Sequence, residues 1–102
     1  MMRIILVCSA GMSTSILVRK MRNAAEERGM EADVNAMPES ELHAHAGNVD
    51  VVLIGPQVRY LEDQIKEKVK GYDVAVAVID QMAYGMARGE KVLDQALELK
   101  SE

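Results

Sequence analysis

One cysteine stands in this chain, at the end of an apolar run. Arg3-Ile4-Ile5-Leu6-Val7-Cys8-Ser9-Ala10-Gly11-Met12-Ser13-Thr14-Ser15 joins four aliphatic residues to that cysteine and then to small and hydroxyl residues. Thiolate is the reactive form of cysteine, and donors aimed at the sulfur favour it. Ser9, Ala10, Gly11, Met12, Ser13, Thr14 and Ser15 suit an anion cradle, because small residues let backbone N–H groups converge and hydroxyls add donors. The same donors would then hold phosphate oxygens, so one loop would activate Cys8 and stabilise its phosphorylated product. A buried, inert thiol is the ordinary fate of a lone cysteine. The place of Cys8 at a strand's carboxyl end argues for the reactive reading.

Positioning such a loop takes a strand before it and a helix after it. Ile4 to Val7 is predicted as a buried strand. Ser13-Thr14-Ser15 supplies N-cap candidates for a helix from about Ser13 to Arg28, with Leu17, Met21 and Ala24 at helical spacing and Gly29 as its C-terminal stop. Arg19, Lys20 and Arg22 are expected on a solvated face of this helix. Ala32 to Met37 reads as a second strand ended by Pro38, and Ser40 to Gly47 as a short helix carrying His43 and His45. A spacing of two separates those histidines on a helix, so they are expected to be exposed residues and not a metal pair. Met21, Met30 and Met37 are expected in or at the rim of the core.

Val49 to Ile54 is a third, nearly all-apolar strand. It runs into Gly55-Pro56-Gln57, where glycine is expected to allow a sharp turn and Pro56 to open a helix. Val58, Leu61, Ile65 and Val69 mark that helix, closed by Gly71. Val74 to Ile79 is a fourth strand whose valines alternate with alanines, followed by Asp80. Gln81 to Arg88, with Tyr84, reads as a loop or a short helical turn, and Glu90 to Lys100 as the last helix. Strand–helix alternation predicts a parallel sheet with helices on both faces, a three-layer α/β domain over residues 1–102. The expected strand order is 2-1-3-4, flavodoxin-like. That order places the cysteine loop beside Gly55-Pro56-Gln57, with Asp80 and Tyr84 one strand further over.

Composition narrows the function. A net charge of −4 argues against a nucleic-acid or anionic-membrane surface. A lone cysteine forms no internal disulfide and suits a reducing cytosol, and the apolar runs are too short to span a bilayer. Neither a P-loop lysine nor a dinucleotide-binding glycine pattern is present, so no nucleotide cofactor is expected, and no metal. A redox role of the thioredoxin type lacks its second cysteine.

A cysteine in a phosphate cradle suggests a cysteine phosphatase, such as the low-molecular-weight tyrosine phosphatases. Those enzymes clamp the phosphoryl group with an arginine six residues after the cysteine, a position held here by Thr14. They also need a general acid, for which Asp80 is the candidate. Without the arginine, the loop looks able to hold a phosphocysteine without rapidly hydrolysing it, which is a carrier's property. A non-catalytic binding module with an inert Cys8 is the alternative from another class.

Three stretches carry a family resemblance: Cys8 to Ser15; Leu53-Ile54-Gly55-Pro56-Gln57; and Val78-Ile79-Asp80 with Tyr84-Gly85. In order and spacing the chain resembles the sugar-specific enzyme IIB component of the bacterial phosphotransferase system, in its lactose/cellobiose/chitobiose family. The resemblance implies that Cys8 accepts a phosphoryl group from phosphohistidine on a cytoplasmic IIA protein. It implies transfer onward to a sugar, such as a β-linked disaccharide, held by the membrane-embedded IIC permease. By the same resemblance, backbone amides from Ala10 to Ser15 and nearby hydroxyls hold the phosphate. The protein would be cytoplasmic, at the membrane only through IIC. Met12, Gln57, Asp80 and Tyr84 are candidates for partner contact or loop packing.

Overall fold

Four aliphatic residues in sequence decide the centre of the fold. Ile4, Ile5, Leu6 and Val7 are all buried, so both faces of their strand are covered. Burying each contributes about 1.5–3 kcal/mol, which offsets an ordering cost of roughly 1–2 kcal/mol per residue. The computed structural model describes residues 2–8 and 11–100, with the side chains of residues 11–14 and 43 outside that description.

The chain runs β1 (Met2–Val7), α1 (Gly11–Glu27), β2 (Ala32–Met37), a 3₁₀ segment (Glu39–Asn48), β3 (Val51–Ile54), a second 3₁₀ segment (Pro56–Leu61), α2 (Glu62–Lys68), β4 (Ala75–Val78), α3 (Gln81–Gly85) and α4 (Gly89–Lys100). The strands form one sheet in the order β2-β1-β3-β4. All pairings are parallel, with Ile4 opposite both Val34 and Val51, and Val51 opposite Ala75. The expected order 2-1-3-4 is the observed one.

Alternation along the strands sorts the core into two layers. Ile4, Leu6, Val34, Val51 and Leu53 pack against Leu17, Val18 and Met21 of α1 and Val92, Leu93 and Ala96 of α4. Ile5, Val7, Val52 and Ile54 pack the other way, against Leu42 and Ala46 of the first 3₁₀ segment, Val58 and Ile65. On β4, Ala75 and Ala77 face the α1/α4 layer, while Val76 and Val78 face the other. The valine–alanine alternation therefore records a tight helix layer on one side. Met21 is buried, and Met30 and Met37 sit at the rim of the two layers.

Helix ends follow their sequence signals. Gly29 has φ 68°, and the bonds from Met30 N–H to Ala25 C=O (3.0 Å) and from Gly29 N–H to Glu26 C=O (3.0 Å) make the paired closure that a left-handed glycine permits. Two expected helices differ from the reading. The segment after Pro38 is 3₁₀ throughout. The helix after Gly55 begins as 3₁₀ and becomes α only at Glu62. Val58 accounts for the second difference, since it leaves helical geometry (φ −123°, ψ 28°) with its side chain buried against the sheet.

Candidate functional site

Cys8 follows β1 directly, at the carboxyl end of the sheet, and is buried at 4 % exposure. It is not sealed among aliphatics. Together with Ser15, Val18, Arg22, Asn35, Ala36, Met37 and Pro38 it lines a cavity of about 420 Å³ between α1 and the end of β2. Apolar side chains form part of the wall, and Ser15, Arg22 and Asn35 supply polar groups. α1 begins at Gly11, so its first-turn amides lie at the cysteine end of the sheet. Ser15 is exposed in that part of the helix. Ser9 and Ala10 lie outside the described residues, as do the side chains of Gly11, Met12, Ser13 and Thr14.

The second expected loop arrives from β3. Gly55 is buried, and its N–H donates to the Val7 carbonyl at 2.8 Å, which fixes the start of this loop beside the end of β1. Its backbone (φ −60°, ψ 140°) is one that any residue adopts. The expected role of Gly55 in a sharp turn is therefore corrected. Its missing Cβ leaves room for the Gln57 amide, since a Cβ would lie 2.8 Å from Gln57 Oε1, the mobile end of an exposed side chain, and at contact distance, 3.4 Å, from the Val7 carbonyl. Pro56 opens the 3₁₀ segment, where its missing N–H is no loss.

The third expected group comes from the end of β4. Asp80 N-caps α3, its carboxylate accepting from Ala83 N–H at 3.0 Å. Gln57 Nε2 donates to Tyr84 Oη at 2.8 Å, which joins the second group to the third. Gly55, Gln57, Asp80 and Tyr84 thus form one connected structure, hydrogen-bonded to the strand that carries Cys8. Tyr84 is half-buried and also packs against the α1/α4 core layer.

Arg22 has a role the sequence did not announce. Arg19, Lys20 and Arg22 are all exposed, as expected of a solvated face, and Arg22 does more than that face required: it reaches β2, with Nε and Nη2 at 3.0 and 2.6 Å from the Val34 carbonyl and Nη2 at 3.2 Å from Asn35 Oδ1. Arginine spacing on a helix carries no signal for a backbone acceptor on a neighbouring strand. Asn35 was also missed, and it lines the Cys8 cavity beside Arg22. His45 is exposed.

The chain matches the family of lactose/cellobiose-specific IIB subunits of the phosphotransferase system (PTS) over residues 3–95. It belongs to that family. The oligo-β-mannoside-specific EIIB component of Bacillus subtilis is 44 % identical over 99 residues, covering 97 % of this chain and 96 % of that protein. The galactose-specific EIIB component of Lactococcus lactis subsp. cremoris is 41 % identical, covering 94 % of each. The solution structure of a cellobiose-specific IIB component from Borrelia burgdorferi superposes with a TM-score of 0.81 at 36 % identity, covering 98 % of this chain and 92 % of that one. IIB components are subunits of sugar phosphotransferases and work with IIA and IIC partners. None of the described helices is long and apolar enough to cross a membrane.

Proposed function

We propose that this IIB chain is a phosphocysteine carrier. Cys8 sulfur attacks the phosphorus of a phosphohistidine on IIA, the P–N bond breaks as the S–P bond forms, and the imidazole leaves with the N–P electron pair. A hydroxyl of a sugar held by IIC then attacks the same phosphorus: the O–P bond forms as the S–P bond breaks, the Cys8 sulfur leaves with that electron pair as the thiolate, and the hydroxyl proton passes to solvent. Phosphoryl transfer of this kind depends on positioning and on donors around the equatorial oxygens. The backbone amides of Ala10 to Ser15, which include the first turn of α1, are the donors assigned here, with the hydroxyls of Ser9, Ser13, Thr14 and Ser15 as the candidates for further donors. The substrate class is a β-linked disaccharide, and its recognition lies on the permease.

The supporting observation is the position of the one cysteine, at the carboxyl end of a central parallel strand and on the wall of a concave, donor-bearing space. The phosphatase alternative needs Asp80 as an acid, and its carboxylate is engaged as a helix cap. Incubation with phosphorylated IIA tests the reading. Intact mass should rise by one phosphoryl group, and peptide mapping should put it on Cys8. Phosphate on His43 or His45 would overturn the assignment, and steady turnover of an aryl phosphate by the isolated chain would favour the phosphatase.

A further inference from the structure

The sheet has two outer strands, β2 and β4. An outer strand presents a row of N–H and C=O groups, which is a template for adding another strand. Hydrogen bonding shows which groups point outward. Met2 N–H donates to the Glu31 carbonyl, so 31, 33, 35 and 37 face β1 and Ala32, Val34 and Ala36 face away from the sheet. Likewise Ala75 N–H donates to Asp50 and Ile79 N–H to Ile54, so Val76, Val78 and Asp80 face away at the other edge.

Each edge meets a side chain from the α1/α4 layer. At β2, Arg22 gives two donors to the outward Val34 carbonyl. It also reaches Asn35 Oδ1, whose own Nδ2 bonds Asp33 Oδ1 at 3.1 Å. Val34 packs toward α1, and alternation turns Asn35 to the opposite face. A guanidinium from α1 that bonds both therefore wraps around the strand's margin. At β4, Gln95 of α4 donates Nε2 to the Val78 carbonyl at 2.9 Å and accepts from Asp80 N–H at 3.2 Å. Those two groups, flanking Ile79, are the pair that one residue of an added parallel strand would bond. The Gln95 amide substitutes for that residue.

We propose that Arg22 and Gln95 are edge guards: Arg22 occupies the outward Val34 carbonyl of β2, Gln95 occupies the outward Val78 carbonyl and Asp80 N–H at the end of β4, and at those places they keep a second copy of this chain from adding to the sheet. β2 is the more vulnerable edge. Cavities of about 420 and 550 Å³ share Asn35, Ala36 and Met37 as lining, so neither helix layer seals this part of the strand. A second copy is the occupant because it brings the same two outer strands at equal concentration.

Sedimentation equilibrium of the full chain over a range of concentrations tests this, with circular dichroism to show the native fold. The unaltered chain should keep the mass of one copy. Arg22→Ala should raise the average mass toward two copies or more as concentration rises, with new amide protection at the outward N–H groups of Ala32, Val34 and Ala36. Adding Ala36→Pro removes an outward N–H without touching the β1 ladder and should return Arg22→Ala to the mass of one copy. Gln95→Leu tests the other edge independently and keeps the question open to an answer if Arg22→Ala does not fold. The proposal is overturned if the native-like variants stay at the mass of one copy, if the unaltered chain already associates through these strands, or if association survives Ala36→Pro with protection elsewhere.

Discussion

Gln57 Nε2 lies 2.8 Å from Tyr84 Oη, and this bond ties the segment after β3 to the helix after β4. The segment after β3 is in turn fixed to the end of β1 by the bond from Gly55 N–H to Val7. Position therefore passes from Tyr84 to the backbone that precedes Cys8. Tyr84→Phe removes the phenolic oxygen and keeps the ring. A partly exposed hydrogen bond contributes about 0.5–1.5 kcal/mol, so the urea midpoint should fall by that equivalent. If the segment helps to seat the incoming IIA, the variant's transfer rate should fall with little change in fold. An unchanged rate would confine the bond to stability.

Gly55→Ala should be worse than its ordinary backbone angles suggest. The new methyl would displace the Gln57 amide, whose Oε1 lies 2.8 Å from that position, while meeting the Val7 carbonyl at contact distance, 3.4 Å. The Gln57–Tyr84 bond is then lost, for about 0.5–1.5 kcal/mol. Adding Gln57→Ala to Gly55→Ala removes the collision, and the double variant should be destabilised by less than the sum of the singles. Strict additivity in chemical denaturation would count against the collision.

Asp80 separates a cap from an acid. As N-cap of α3 it should tolerate asparagine, because the amide oxygen still accepts from Ala83 N–H. Asp80→Ala should lose about 0.5–2 kcal/mol of stability. Both folded variants should carry phosphate to acceptor at near the parental rate. A large rate loss in Asp80→Asn with an unchanged melting curve would assign the carboxylate a chemical role.

The strand order, the central position of β1 and the location of Cys8 were legible because they follow from apolar runs and strand–helix alternation. Gly29 was legible because only its position after a periodic run matters. The 3₁₀ character of Glu39–Asn48 and Pro56–Leu61 was not, since apolar spacing over so few residues fits either helix type. The pairings of four side chains were also hidden. Arg22 and Gln95 act on backbone groups of neighbouring elements, and Gln57 and Tyr84 meet across 27 positions of sequence. Such pairings depend on distances that the chain's pattern does not carry. The Cys8 cavity opens on the β2 side of β1, whereas strand order alone directs attention to the crevice between β1 and β3.

Gly89 measures how closely the two helices of one layer approach. A Cβ there would sit 2.4 Å from the Lys20 carbonyl carbon and 2.6 Å from the Met21 nitrogen, both backbone atoms that cannot swing aside. Gly89→Ala must push α4 off α1 and strain the contact that includes the Arg28–Asp94 ion pair at 2.7 Å. A loss of about 1–3 kcal/mol is expected, read as a lower denaturant midpoint. Lys20 and Met21 lie beyond the first turn of α1, away from its Cys8 end, so transfer per folded molecule should hold.

Cys8→Ser is the sharpest test of the carrier. Serine is nearly the same size, so the core around 4 % exposed Cys8 should stay packed. A hydroxyl placed there without good partners would cost no more than about 1–3 kcal/mol, leaving circular dichroism native. Chemistry should change far more. An alcohol is a much weaker nucleophile than a thiolate at neutral pH, and a phosphoserine ester would be a poorer donor to sugar. A barrier increase above about 4 kcal/mol lowers the rate by roughly 10³, so sugar phosphorylation with IIA and IIC present should drop to background. Retained sugar phosphorylation by the serine variant would mean that the phosphoryl group travels by another residue.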